Sequence, residues 1–148
     1  MTTASLITLY NKDLNALIKE IRLYADESNL WLVPNGISNS AGNLCLHLVG
    51  NLNHFIGATL GNSGYVRQRD LEFTQKDVPR TELIQKVEET MQMVTNTLQA
   101  LSEDDLQQEY KHRVIDKPMT TVFFLMYLAM HLAYHLGQIN YHRRLLNI

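Results

Sequence analysis

The sequence predicts an all-α fold, a four-helix bundle in one domain spanning 1–148. Three observations carry this. Four long segments repeat apolar residues at steps of three and four, the period of one helix face. A 19-residue connection, 61–79, separates the second segment from the third. Extended, it reaches about 60 Å, twice the roughly 30 Å of a 20-residue helix, so it can cross a whole bundle. And 148 residues suit a single core; no internal repeat or domain boundary divides them.

The first helix is expected from about Thr3 to Ala25. Leu6, Tyr10, Leu14, Leu17, Ile21 and Tyr24 make its stripe, with polar residues between them. Asp26-Glu27-Ser28-Asn29 ends it. Leu30 to Pro34 is a short apolar crossing, and Asn35-Gly36 a turn. The second helix starts at Ser40, an N-cap, and runs to about Leu60. It is apolar on several faces, so protein surrounds it. His47 and Asn51 then lie on a core face and need partners there.

Residues 61–79 read as an irregular link. The third helix follows Pro79 and runs to about Leu101, with Leu83, Val87, Met91, Val94, Leu98 and Leu101 as its stripe. Ser102-Glu103-Asp104-Asp105 caps a short helix. Tyr110–Lys117 is a polar, partly extended connection. Pro118 and Thr120 or Thr121 open the fourth helix, which runs to about Asn147, with Arg143 and Arg144 suiting its C-terminal dipole.

The charge balance excludes several classes. Thirteen basic residues face fifteen acidic ones, a net −2, with no basic cluster for nucleic acid and no basic helical face for a membrane surface. Cys45 is the only cysteine, which rules out a disulfide within the chain and fits a reducing, cytoplasmic setting. Met1 to Tyr10 lacks a signal peptide's basic region and cleavage site. The uncharged run Met119–Tyr141 contains histidines, Gln138 and Asn140, and reads as a buried bundle helix rather than a membrane span.

The chemistry concentrates in His131 and His135. Four residues apart on a helix, they share one face with Cβ atoms roughly 5–6 Å apart, a spacing that holds one metal ion. Alone, the pair fits packed histidines equally well. Its apolar setting makes two unpartnered imidazoles costly. His47, on an inward stripe of the second helix, offers a third nitrogen, leaving positions open for water or substrate. Zinc or nickel suits such a site.

His54 and His142 compete for that third place. His142 stands about 10 Å along the axis from His135, and His54 lies two turns beyond His47. Both read as surface or pocket-rim histidines. Glu109 and His112 form a single ExxH, where di-iron bundles need two, so that reading is rejected. There is no HExxH, P-loop or GxSxG pattern. Tyr127, Tyr134 and Tyr141, spaced by seven, read as packing residues, with one hydroxyl beside the metal as the alternative. Gly137 allows the close approach of another helix. Asn51 and Gln138 either orient ligands or make ordinary buried hydrogen bonds.

Together these blocks resemble the DinB/YfiT-like superfamily of metal-dependent four-helix-bundle proteins. The carriers are Asn29-Leu30-Trp31, the run from Asn39 to Asn51 around His47, Arg67 to Phe73, and His131 to Ile139. The resemblance implies an up-down-down-up bundle with the second and fourth helices antiparallel. It implies a divalent metal, nickel or zinc, on His47, His131 and His135, and a homodimer. Some relatives transfer or isomerise groups using low-molecular-weight thiols. Where relatives often carry Arg after the second histidine of the pair, this chain has Leu136, which removes a charge near the pocket rim.

Three functions follow as expectations. The first is a metal-dependent thiol S-transferase or hydrolase acting on a small molecule; no catalytic base is assigned, and Asp70 and Glu72 on the link are the candidates. The second is a non-catalytic metal-binding or stress-response module. The third is a structural bundle with packed histidines.

Overall fold

The computed structural model describes residues 2–114 and 116–146. Its α-helices are α1 (Thr2–Arg22), α2 (Ala41–Leu52), α3 (Arg69–Thr74), α4 (Arg80–Ala100), α5 (Glu103–Gln107) and α6 (Thr121–Leu146). The four long segments α1, α2, α4 and α6 are the expected bundle. The predicted stripe of α1 is buried from Leu6 to Ile21, and Tyr24 beyond it is buried too. Ser40 caps α2 by accepting from Asn43 N, and Ser102 with Asp105 forms a capping box on α5.

Pairwise contacts fix the directions. The Tyr10 hydroxyl donates to Leu125 O at 2.7 Å, and the Tyr24 hydroxyl oxygen lies 3.4 Å from Ile139 O. Both steps advance equally along the two helices, so α1 and α6 run parallel. Asn15 meets Met91 while Asn11 meets Thr95, so α1 and α4 oppose. Asn53 bonds Thr90, Gly57 lies on Met93 and Gly61 on Thr97, so the second and third long segments run the same way. His47 faces His131 while Phe55 faces Phe124, so α2 and α6 oppose. This is the up-down-down-up order.

Three expectations are corrected. The second helix is not uniform to Leu60: after Leu52 it continues as a π-helical turn, Asn53–Ala58, with Thr59 N donating to His54 O. Asn53 sits at this junction, its side chain donating to both Val49 O and Thr90 Oγ1. The 61–79 link is not wholly irregular, because α3 forms inside it and packs on α2. And α6 is not buried all round. Its Leu125, Leu128, Leu132 and Ile139 enter the core, whereas Tyr127, Tyr134 and Tyr141 are exposed, so they are not packing residues of this bundle. By length and composition α6 could cross a membrane, yet its inward face belongs to the bundle core. The expected end at Asn147 lies outside the described residues. Arg143 is engaged by Glu20 of α1 at 2.6 Å. One antiparallel bridge, Glu109 to Thr120, closes the two ends of the polar connection, and within Tyr110–Lys117 no described residue is in a bridge or strand.

Asn43 ties the link to α2. Its buried amide donates to Glu72 O at 3.0 Å and Gln75 O at 2.8 Å, and its Oδ1 accepts from Ser40 Oγ at 2.7 Å. Asn43→Ala leaves those carbonyls without their donor. It is expected to cost about 2–3 kcal/mol in urea denaturation.

Candidate metal centre

His47, His131 and His135 meet at one point between α2 and α6. His131 Nε2 lies 3.2 Å from His47 Nε2 and 3.1 Å from His135 Nε2. With ligand bonds of about 2.0–2.1 Å, neighbouring nitrogens on one ion stand about 3.0 Å apart in octahedral and about 3.3 Å apart in tetrahedral geometry. These two separations fall in that interval, and the three ligand nitrogens all lie within 4.8 Å of one another.

Proton placement follows from the partners behind the rings. His47 Nδ1 is 2.9 Å from Glu72 Oε2, and an ionised carboxylate only accepts, so Nδ1 carries the proton. His135 Nδ1 donates to Gln138 Oε1 at 2.7 Å. Both rings, when neutral, therefore turn an Nε2 lone pair toward His131. One ring nitrogen between two lone pairs has at most one proton to share. A divalent cation satisfies all three, so the donor set fits a metal. His131 Nδ1 is buried and has no hydrogen-bond partner among the described residues, so no second-nitrogen hydrogen bond orients this ring.

The electrostatics favour the ligand form. Burial, then the His135 and His47 rings and Arg67, pull His131 down to about 4. Burial also lowers His135, against the opposing hydrogen bond to Gln138. Burial by itself would raise Glu72; hydrogen bonds from His47 and Arg67 and their charges outweigh it and hold the carboxyl below its usual range. A histidine depressed on folding takes up its proton more readily when unfolded. The apoprotein is therefore expected to lose stability as pH falls from about 6.5 toward about 4, by at most about 3 kcal/mol from His131. Thermal melts across that window check it; a flat profile would contradict it.

Glu72 is the residue whose role the sequence did not assign. It sits on α3, is buried, and receives Arg67 Nε at 2.7 Å and Nη2 at 2.9 Å as well as His47. Both of its oxygens are engaged, so it orients the His47 ring and is not a free base. Asp70 is exposed and does not join it. Gly50, one turn from His47, makes this approach possible: a Cβ there would collide with Glu72 Oε1. The available signal was His47 itself, a polar residue on a core face that required a partner.

The remaining candidates lie elsewhere. His142 is buried, accepts from the Tyr24 hydroxyl at 2.7 Å and donates to Leu32 O at 2.9 Å, a structural role, while it also lines the cleft beside His135. His54 stacks on His112, away from the three ligands. Leu136 packs against the core, so its position is not the pocket rim that the sequence suggested. Asn51 lies one turn beyond His47, and its buried Oδ1 has no hydrogen-bond partner among the described residues. Gln138 takes the ligand-orienting role and also donates to the Tyr134 hydroxyl at 3.2 Å. A cleft of about 690 Å³ between residues 34–39 and α6 reaches His135, Gln138 and Tyr134. A smaller one of about 340 Å³ lies behind Glu72 and touches none of the three histidines.

A family model described as a protein of unknown function, DUF1572, matches residues 9–147. The chain belongs to the DUF1572 family. Its fold is DinB-like. This DUF1572 chain is similar to the crystal structure of a DinB-like protein, YjoA, from Bacillus subtilis, with TM-score 0.72 over 97% of this chain and 93% of that one. At 15% identity that likeness shows the fold alone. No curated protein matches this DUF1572 sequence.

Proposed function

We propose that the chain is a cytoplasmic metal-dependent enzyme, of the thiol S-transferase or hydrolase type, acting on a small-molecule substrate at His47, His131 and His135. Nickel or zinc is the proposed ion. The observation that carries this is the convergence of three Nε2 atoms beside an open cleft, with two of the rings held by Glu72 and Gln138. When bound, a divalent ion supplies Lewis-acid chemistry, lowering the pKa of a thiol or of water.

The chain's own residues do the rest. Glu72, clamped by Arg67, holds the His47 proton on Nδ1 and fixes the ring. Gln138 does the same for His135. The cleft leaves His135 accessible from one side, while α2 and the core close the other.

A second reading, a non-catalytic metal-binding or stress-response module, is favoured by one feature: the nearest carboxylate, Glu72, is fully engaged and leaves no free base. Metal-loaded protein tested with low-molecular-weight thiols against a panel of electrophiles, and with hydrolase substrates, separates the two. Turnover lost in His47→Ala supports the enzyme. Bound metal without turnover across the panel supports the module.

A further inference from the structure

The cleft that reaches His135 has walls without charge. At about 690 Å³ it has the size of a small-molecule site, typically about 300–1,000 Å³. No described lysine, arginine, aspartate or glutamate lines it. Its apolar surface comes from Ile37, Leu44, Tyr134, Tyr141 and Leu145. The 34–39 segment adds Asn35, Ser38 and Asn39, whose side chains make no hydrogen bond to a described residue. His142 has both ring nitrogens engaged, by the Tyr24 hydroxyl and Leu32 O. Arg143 and Arg144 follow it, yet neither lines the cleft. Arg143 is held by Glu20 at 2.6 Å, and the Arg144 guanidinium lies over the Tyr141 ring, 5.5 Å from its centroid.

Tyr134 joins the apolar surface to the three-histidine centre. Its ring centroid stands 5.2 Å from that of His135. Its hydroxyl accepts from Gln138, which itself accepts from His135 Nδ1. A flat body lying against Tyr134 therefore places its substituent beside His135. A carboxylate or ammonium in the cleft would shed water and meet no opposite charge. Amide and hydroxyl groups instead find both donors and acceptors at Asn35, Ser38 and Asn39. We infer that the substrate is an uncharged molecule with an aromatic body, bound along Tyr134 and Tyr141, with amide or hydroxyl groups toward residues 35–39. This rests on the cleft being the substrate side of the proposed three-histidine centre, and it narrows that reading. Thiols that carry carboxylates are excluded by their charge, and neutral aromatic thiols or amides are admitted.

Two probes of the same shape test this, neutral β-naphthamide and anionic β-naphthoate. Each is titrated into the isotope-labelled full chain without metal, and binding is read from backbone amide shifts in a nuclear magnetic resonance spectrum. The amide is expected to bind about 10-fold more tightly or better, with its shifts centred on Ile37, Asn39, Tyr134 and Tyr141. Leu145→Lys places a cation on the wall at an exposed position, and is expected to narrow the gap by about 10-fold by strengthening naphthoate. Tyr134→Ala is expected to weaken naphthamide by about 10-fold. Equal or tighter binding of naphthoate to the wild type overturns the inference. So does a gap that Leu145→Lys leaves unmoved, shifts centred on the cleft behind Glu72, or no binding of either probe. Because the titration uses no metal and no turnover, a chain that prefers naphthamide but neither holds zinc nor turns over any thiol supports the cleft assignment and sinks only the metal-dependent reading.

Discussion

Replacing His131 with alanine is expected to take the protein from about one divalent ion per chain to none, with affinity falling by more than about 100-fold. Loss of a supporting partner alone costs 10- to 100-fold, and His131 is a direct donor, with its Nε2 between the other two at 3.2 and 3.1 Å. The same substitution is not expected to weaken the apoprotein. The His131 Nδ1 has no hydrogen-bond partner among the described residues, so the substitution breaks no contact on that side of the ring. A ring kept for packing would behave in the opposite way, leaving a cavity and costing stability. Metal analysis of the purified variant, paired with a denaturation curve without metal, reads both effects.

Glu72→Ala carries the second large effect. It leaves Arg67, whose side chain is 13% exposed, without its carboxylate, and frees His47 Nδ1. Breaking a buried ion pair from one side costs about 3–5 kcal/mol. Metal affinity is expected to fall 10- to 100-fold as His47 loses its orientation. Glu72→Gln keeps the volume and one acceptor, so it is expected to fold better than the alanine variant while still binding metal more weakly than wild type. Urea denaturation and metal titration of the two variants separate the charge from the shape.

The bundle was legible because its signal is periodic. Leu6 to Tyr24 repeat at helix spacing, and the core face of α1 follows them. The three-histidine group was legible for the same reason: His131 and His135 lie one turn apart, and His47 sits on an inward stripe. What escaped was set by contacts distant in sequence. α3 is six residues long, too short for periodicity, and is held against α2 by Asn43 on the Glu72 carbonyl and by His47 and Arg67 on the Glu72 carboxylate. The π-helical turn after Leu52 depends on Asn53 reaching Thr90 of α4. The three tyrosines of α6 repeat at helix spacing too, but periodicity does not reveal whether a face meets its own core or solvent.

The most direct measurement is anomalous diffraction from crystals of the metal-loaded chain at the absorption edge of the bound ion. One peak is expected, with the Nε2 atoms of His47, His131 and His135 at about 2.0–2.1 Å. A peak at His54 and His112, at His142, or no peak after loading would contradict the three-histidine centre.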